Sequence, residues 1–374
     1  MSFFPASPKS RWPVALLGCA LTVTGGYAAA EPFATVVLRP GERQLFLDDF
    51  ILGDLDQVER VIHQPRKFAG NPILRPDRPT DGATIQIRDA PSWDEREGVW
   101  KLWYFRMGDD GNGAGGCGFA RSKDGIQWEK PNLGLVESHG SRNNNLTLVK
   151  DDPKAFIQHV IIVGLPNYFE SSGRIPPPRG NQDGINSPKL SCSRNLLAWT
   201  RVGDRSHFIP ISPVGPGVLD TGQIMASSHP IRRGDELWFY YSGIDVRHRP
   251  NIQRVRDEYR WAIHLAKLRV DGFVSLRAGS DGGSIETRSV VLDGGRLFVN
   301  AATGAGEFRA AIMERDGRTV VPGWSLDQCT AVTGDRVRVE LRWAGRDLAE
   351  LRNRKVRIRF RLTNADIYSF WIEP

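Results

Sequence analysis

The chain is poor in cysteine, histidine and methionine: 4, 7 and 4 in 374 residues. Cysteines 19, 117, 192 and 329 show no CxxC spacing, which leaves no framework of disulfides and no thiol metal site. One disulfide among Cys117, Cys192 and Cys329 stays open. Charge of one sign is lacking too. With 50 Lys plus Arg against 43 Asp plus Glu, the formal charge is +7, and no basic run is interleaved with aromatics, so nucleic acid is not an expected partner.

Long apolar runs are confined to the start. Lys9 and Arg11 precede Val14 to Val23, and Ala28-Ala29-Ala30 supplies small residues before Glu31, the layout of a cleaved export signal over residues 1–30. The expected location is secreted or periplasmic. Leu16-Leu17-Gly18-Cys19 also fits a lipoprotein signal, so contact with a membrane is expected only if Cys19 is acylated. No later stretch approaches the ~20 apolar residues that a spanning helix needs. Cleavage would remove Lys9, Arg11 and no acid, lowering the formal charge from +7 to +5.

What the sequence has in abundance is turn formers and short aromatic strands. Thirty-nine glycines and 24 prolines punctuate a chain that is 40% apolar, which favours an all-β class. A unit recurs along it. "VWKLWYF" (99–105) followed by "GFARSKDGIQWEKP" (118–131) is matched by "ELWFYYSG" (236–243) followed by "AIHLAKLRVDGFVSL" (262–276). A weaker copy lies between them, at 159–165 and 189–202, where Ser193 and Trp199 stand six apart like Ser122 and Trp128. Both strong copies are preceded by an acid and a short apolar strand: "DGATIQI" from Asp81 and "DTGQIMA" from Asp220. Four strands per repeated unit describe the blade of a β-propeller. Trp103, Tyr104, Trp128, Trp199, Trp238 and Tyr240 are then expected between blades. Trp93, in a polar turn, is a candidate ligand contact.

From about residue 289 the pattern becomes strict alternation. "VRVELRW" (337–343) and "VRIRFRL" (356–362) place Val356, Ile358, Phe360 and Leu362 on one face and Arg357, Arg359 and Arg361 on the other, predicting a β-sandwich over 289–374 after a propeller over 40–276. The arginine face is read as solvated.

"LFLDDF" (45–50), "ERVIHQP" (59–65), "GNPILRP" (70–76), "ARSKDGIQWEKPNLGLVE" (120–137), "NNNLTL" (143–148), "GGRLFVNAA", "VPGWSLDQC" and "LTNADIYSFW" together resemble secreted bacterial proteins related to glycoside hydrolase families 32 and 43. The resemblance implies a five-bladed propeller with a C-terminal sandwich and an oligo- or polysaccharide partner. It further implies glycosidic hydrolysis by paired carboxylates, with no cofactor or metal for the chemistry. Carried over residue by residue, "IRDAP" offers Asp89 as the stabilising acid, beside Arg88. Asp49 stands where a first-blade acid is expected, although the Asn-Asp-Pro-Asn-Gly signature is absent. Asp81 and Asp220 head equivalent strands, Asp81 as a substrate contact and Asp220 as a catalytic candidate. Glu170 is the candidate acid. Residues 40–276 are few for five blades and 150–190 read as loop, which leaves room for one abbreviated or lost blade and, with it, for the loss of a catalytic residue. The alternative is a propeller that binds carbohydrate without cleaving it.

Overall fold

A computed structural model describes residues 35–82, 84–107, 116–147, 162–171, 184–194, 199–248, 260–292 and 294–374. The expected signal segment, with Cys19, lies outside them. The described chain is all-β: one 12-stranded, two 6-stranded and one 3-stranded sheet, with only short 3-10 turns besides. A closed ring of five blades is not present among these sheets.

Two six-stranded sheets make the C-terminal layer. One contains Gly283–Thr287, Glu307–Glu314 and Lys355–Thr363; the other contains Val274–Ala278, Arg296–Ala302 and Ala365–Glu373. Val356, Ile358, Phe360 and Leu362 point into a cluster shared with Leu297, Val299, Ile367 and Phe370, as their alternation requires. The arginines of the opposite face are spent locally. The Glu286 carboxylate, 8% exposed, accepts from both Arg357 and Arg359 at 3.0 and 2.7 Å.

The domain limits differ from the expected ones. Val36–Leu38 pairs with Val290–Leu292, Leu52–Asp56 with Gly283–Thr287, and Glu59–Ile62 with Val274–Ala278, so the first described strands belong to the sandwich sheets rather than to a propeller starting at 40. Segments such as "LGDLD" bury only their first residue and carry no alternation that could announce a partner more than 200 residues away.

The repeats, by contrast, form equivalent antiparallel units in the 12-stranded sheet. In the first, Thr84–Gln86 pairs with Val99–Met107, which pairs with Gly116–Ser122. In the last, Gln223–Ala226 pairs with Glu236–Ile244, which pairs with Trp261–Arg269. The fourth strand of the last unit is Arg66–Lys67, supplied from far earlier in the chain. An early strand completing the final unit covers a sheet edge.

The Ser-to-Trp spacing of six is a hairpin register. Ser193 pairs directly with Trp199, and Ser122 faces Trp128 one step inside the Arg121–Glu129 bridge. In that turn Asp124 Oδ1 accepts from the Ile126 and Gln127 amides, and Gly125 takes φ 78°. The Tyr240 hydroxyl of the last unit donates to the Gly125 carbonyl at 2.8 Å, and Trp128 meets the Tyr240 ring edge-on at 6.3 Å. The hairpin thus joins the two units. A Cβ on Gly125 would stand 2.7 Å from the Tyr240 hydroxyl and in a left-handed backbone. Gly125→Ala is expected to lower stability by about 1–3 kcal/mol, measured by urea denaturation.

Candidate functional site

Three innermost strands converge: Thr84–Gln86, Gly184–Pro188 and Gln223–Ala226. Parallel bridges link Asn186 to Gln223 and Trp261 to Thr84. At the entry to two of these strands stand the repeated acids, and each is locked in the same way.

Asp81 is fully buried. Tyr104 donates its hydroxyl proton to Oδ1 at 2.7 Å and Lys130 Nζ donates to Oδ2 at 2.6 Å. Asp220, 3% exposed, accepts from Tyr241 at 2.9 Å and Lys67 at 2.7 Å. The two trios match in register. Thr84, three residues after Asp81, pairs with Met107, three after Tyr104; Gln223, three after Asp220, pairs with Ile244, three after Tyr241. Lys67 faces Ala266, and Lys130 faces the equivalent Ala120, one step past the Arg121–Glu129 bridge. Burial pushes the Asp220 carboxyl up, and the hydrogen bond and charge of Lys67 more than reverse this, holding it below the usual range. An acid held between a lysine and a buried tyrosine is a strut across its unit.

The other expected site residues are dispersed. Asp49 lies between sandwich strands, 79% exposed, with Arg60 at 2.5 Å. Glu170 is on Asn167–Ser171, where Lys189 contacts it and His207 stands at 3.4 Å; the Lys189 hydrogen bond holds its carboxyl low. Arg88 and Asp89 are exposed just beyond the first inner strand, where the Arg88 carbonyl accepts from the Ser228 amide at 3.0 Å. Asp89 has no hydrogen-bond or ion-pair partner among the described residues. Trp93 is 46% exposed, with its ring 5.3 Å from Trp100. Inter-residue contacts bring none of these together in a carboxylate pair.

What does converge is uncharged. Asn186 Nδ2 donates to Gln223 Oε1 at 2.7 Å, and Gln223 Nε2 donates to the Val246 carbonyl at 3.1 Å. Thr84 and Gln86, 5% and 8% exposed, keep Oγ1 and Oε1 without a partner among the described residues, and Trp261 Nε1 is a buried donor likewise without one there. Buried polar atoms left unpaired are costly, so ordered water or a ligand is needed to complete the bonding there. Because Gln86 pairs with Phe105 and Trp103 with Phe119, these acceptors share their sheet face with three aromatic rings. Trp103 and Phe105 are each 39% exposed, and Trp199 45%, against 1% for Tyr104 and Tyr240 and 6% for Trp238. Of the six aromatics expected in the core, Tyr104, Trp238 and Tyr240 are buried and Trp128 packs against the same cluster, whereas Trp103 is left open because only one face of the first unit meets the last unit, and Trp199 lies exposed on the separate three-stranded sheet.

Asp245, at the end of the Glu236–Ile244 strand, was not singled out by sequence. Burial raises its pKa, and its Oδ1 accepts from the Arg260 amide at 3.0 Å. A lone "GID" after an aromatic strand gives no signal of that environment.

No protein-family model matches the chain, and no curated protein sequence matches it. Solved structures show only faint likeness. An N-acetylgalactosamine deacetylase from F. plautii, in complex with blood group B trisaccharide, is 17% identical with TM-score 0.19, over 49% of this chain and 50% of that one. The chain thus spans about half the length of that protein. An exo-beta-1,3-galactanase from Phanerochaete chrysosporium, with galactose, is 10% identical over 75% of this chain and 80% of that one, at TM-score 0.17. The same galactanase with beta-1,3-galactotriose, in a second variant, is 12% identical over 76% and 81%, at 0.18. Likeness this weak transfers neither fold nor function.

Proposed function

We propose that the protein is an exported carbohydrate-binding protein of the propeller type, with residues 1–30 as its cleaved signal and the sandwich as an accessory layer. The carrying observation is a pair of buried acceptors without a partner among the described residues, Thr84 Oγ1 and Gln86 Oε1, on the face that also carries Phe105. Sugar hydroxyls are donors that such oxygens lack, and the apolar face of a pyranose ring suits an exposed aromatic. Two of the repeated acids serve as struts, which supports binding over cleavage. Gln86→Ala is expected to weaken saccharide binding about tenfold or more, read by calorimetry against a panel of plant, algal and host polysaccharides. Unchanged affinity would reject the site.

Hydrolysis is the second reading, favoured by Asp89, exposed without a partner among the described residues, and Asp245, whose pKa burial raises, the direction a general acid requires. Turnover of any panel member, lost in both Asp89→Asn and Asp245→Asn, would establish it.

A further inference from the structure

We propose that the outward face of the Val99–Met107 and Gly116–Ser122 strands is a platform for an extended, uncharged oligosaccharide whose first unit sits at Gln86. The proposal rests on the reading of Thr84 and Gln86 as saccharide acceptors and extends it along the sheet.

The internal repeat supplies the comparison. By the register that equates Tyr104 with Tyr241, Trp103 corresponds to Tyr240 and Phe105 to Ser242. Tyr240 and Ser242 are 1% and 0% exposed, because that face of the last unit is covered by the first unit. Trp103 and Phe105 keep 39% each. Where the covered copy needs only a serine, the open copy carries a phenylalanine, and packing among the described residues does not account for the ring. Exposed apolar surface grouped on one face marks an interaction site.

Geometry and charge select the occupant. Phe105 and Trp103 are two residues apart on one strand, about 7 Å along it, which is the scale of one sugar unit. Trp103 is widened sideways by Phe119, 5.4 Å away. The row therefore runs from buried acceptors at the inner end to aromatic rings further out. The cations at its outer end are already answered. Lys101 is bound by Asp94 at 2.8 Å and Glu97 at 2.7 Å, and Arg121 by Glu129 at 3.1 Å. A polyanion would have to break these pairs, whereas a neutral chain stacks on the rings without disturbing them.

The test measures affinity against length, with neutral cello-, xylo- and manno-oligosaccharides of one to six units titrated into the whole protein by calorimetry. Affinity is expected to rise about tenfold or more with length in the parent. In Trp103→Ala the short sugars should bind as before while that rise falls to roughly twofold; Gln86→Ala should weaken every length. Thermal melting confirms that the Trp103 variant is folded. An unchanged length dependence in Trp103→Ala overturns the platform while leaving the Gln86 site standing; no binding at any length rejects the underlying reading itself. If Trp103→Ala instead turns a dimer into a monomer in sedimentation with sugar binding intact, the face belongs to a second copy and the platform is overturned.

Discussion

Lys130→Met is expected to cost the fold about 3–5 kcal/mol, the scale for stripping one partner from a buried ion pair. Methionine keeps the length and apolar stem of the side chain, so the change isolates the charge. Lys130 is 3% and Asp81 0% exposed in their side chains, so water cannot take the place of the ammonium. The carboxylate would keep only the Tyr104 hydroxyl and the Arg78 amide at 3.1 Å. Lys130 Nζ also donates to the Asp77 carboxylate at 2.5 Å and the Arg75 carbonyl at 2.6 Å, so the loss reaches the segment leading into the first inner strand. The double variant Asp81→Asn with Lys130→Met should recover most of the stability, since no bare charge is then buried. Lys67→Met should cost less, because Lys67 is 23% exposed and solvent reaches its site. Urea titrations followed by tryptophan fluorescence decide the ranking. A Lys130→Met cost below about 1 kcal/mol would sink the strut interpretation.

These trios also show what the sequence could and could not announce. Asp81 and Asp220 were visible as repeated heads of short apolar strands, and the aromatic strands behind them were visible because alternation and the Ser-to-Trp hairpin spacing are local. Their lysines were not. Lys130 sits in "WEKP" of its own unit, but Lys67 comes from "PRKF", some 150 residues before Asp220, and pairing between distant edges leaves no periodic trace. The same reason hid the membership of residues 36–62 in the sandwich sheets. The Lys355–Thr363 strand, half-buried and strictly alternating, was legible over 356–362, within a residue of each end. The acceptors Thr84 and Gln86 carry no sequence signal, because uncharged side chains in an apolar strand look like interruptions; only burial without a partner among the described residues makes them conspicuous.

Acid should loosen the last unit first, through His264. This ring is 1% exposed, stacks on Tyr241 at 5.1 Å and donates Nδ1–H to the Ala262 carbonyl at 3.0 Å. Burial drives its pKa down to about 4, against 6.5 for a free histidine, although the Asp220 charge pulls the other way. Below about pH 6.5 the unfolded chain gains a proton that the folded chain refuses until near pH 4, so stability present above 6.5 is lost as pH falls through that window. A gap of about 2.5 units corresponds to roughly 3 kcal/mol. His63, also lowered chiefly by burial, adds to the slope in the same direction. Asp220 is held below its ordinary range, so its own contribution fades only at still lower pH. The two processes are therefore separable. In His264→Gln the decline between pH 6.5 and 4 should shrink, with the fall below pH 4 retained; an unaltered profile would discard the histidine as its source. Protonating His264 places a cation beside the Lys67–Asp220–Tyr241 strut, and Lys67 lies on the strand that closes the last unit. Hydrogen exchange at the Phe68 amide, bonded to the Leu265 carbonyl at 2.8 Å, should accelerate on acidification before exchange in the Lys355–Thr363 strand of the sandwich does. Equal acceleration at both places would mean that the sheets yield together and that the closing strand is no weaker than the core it completes.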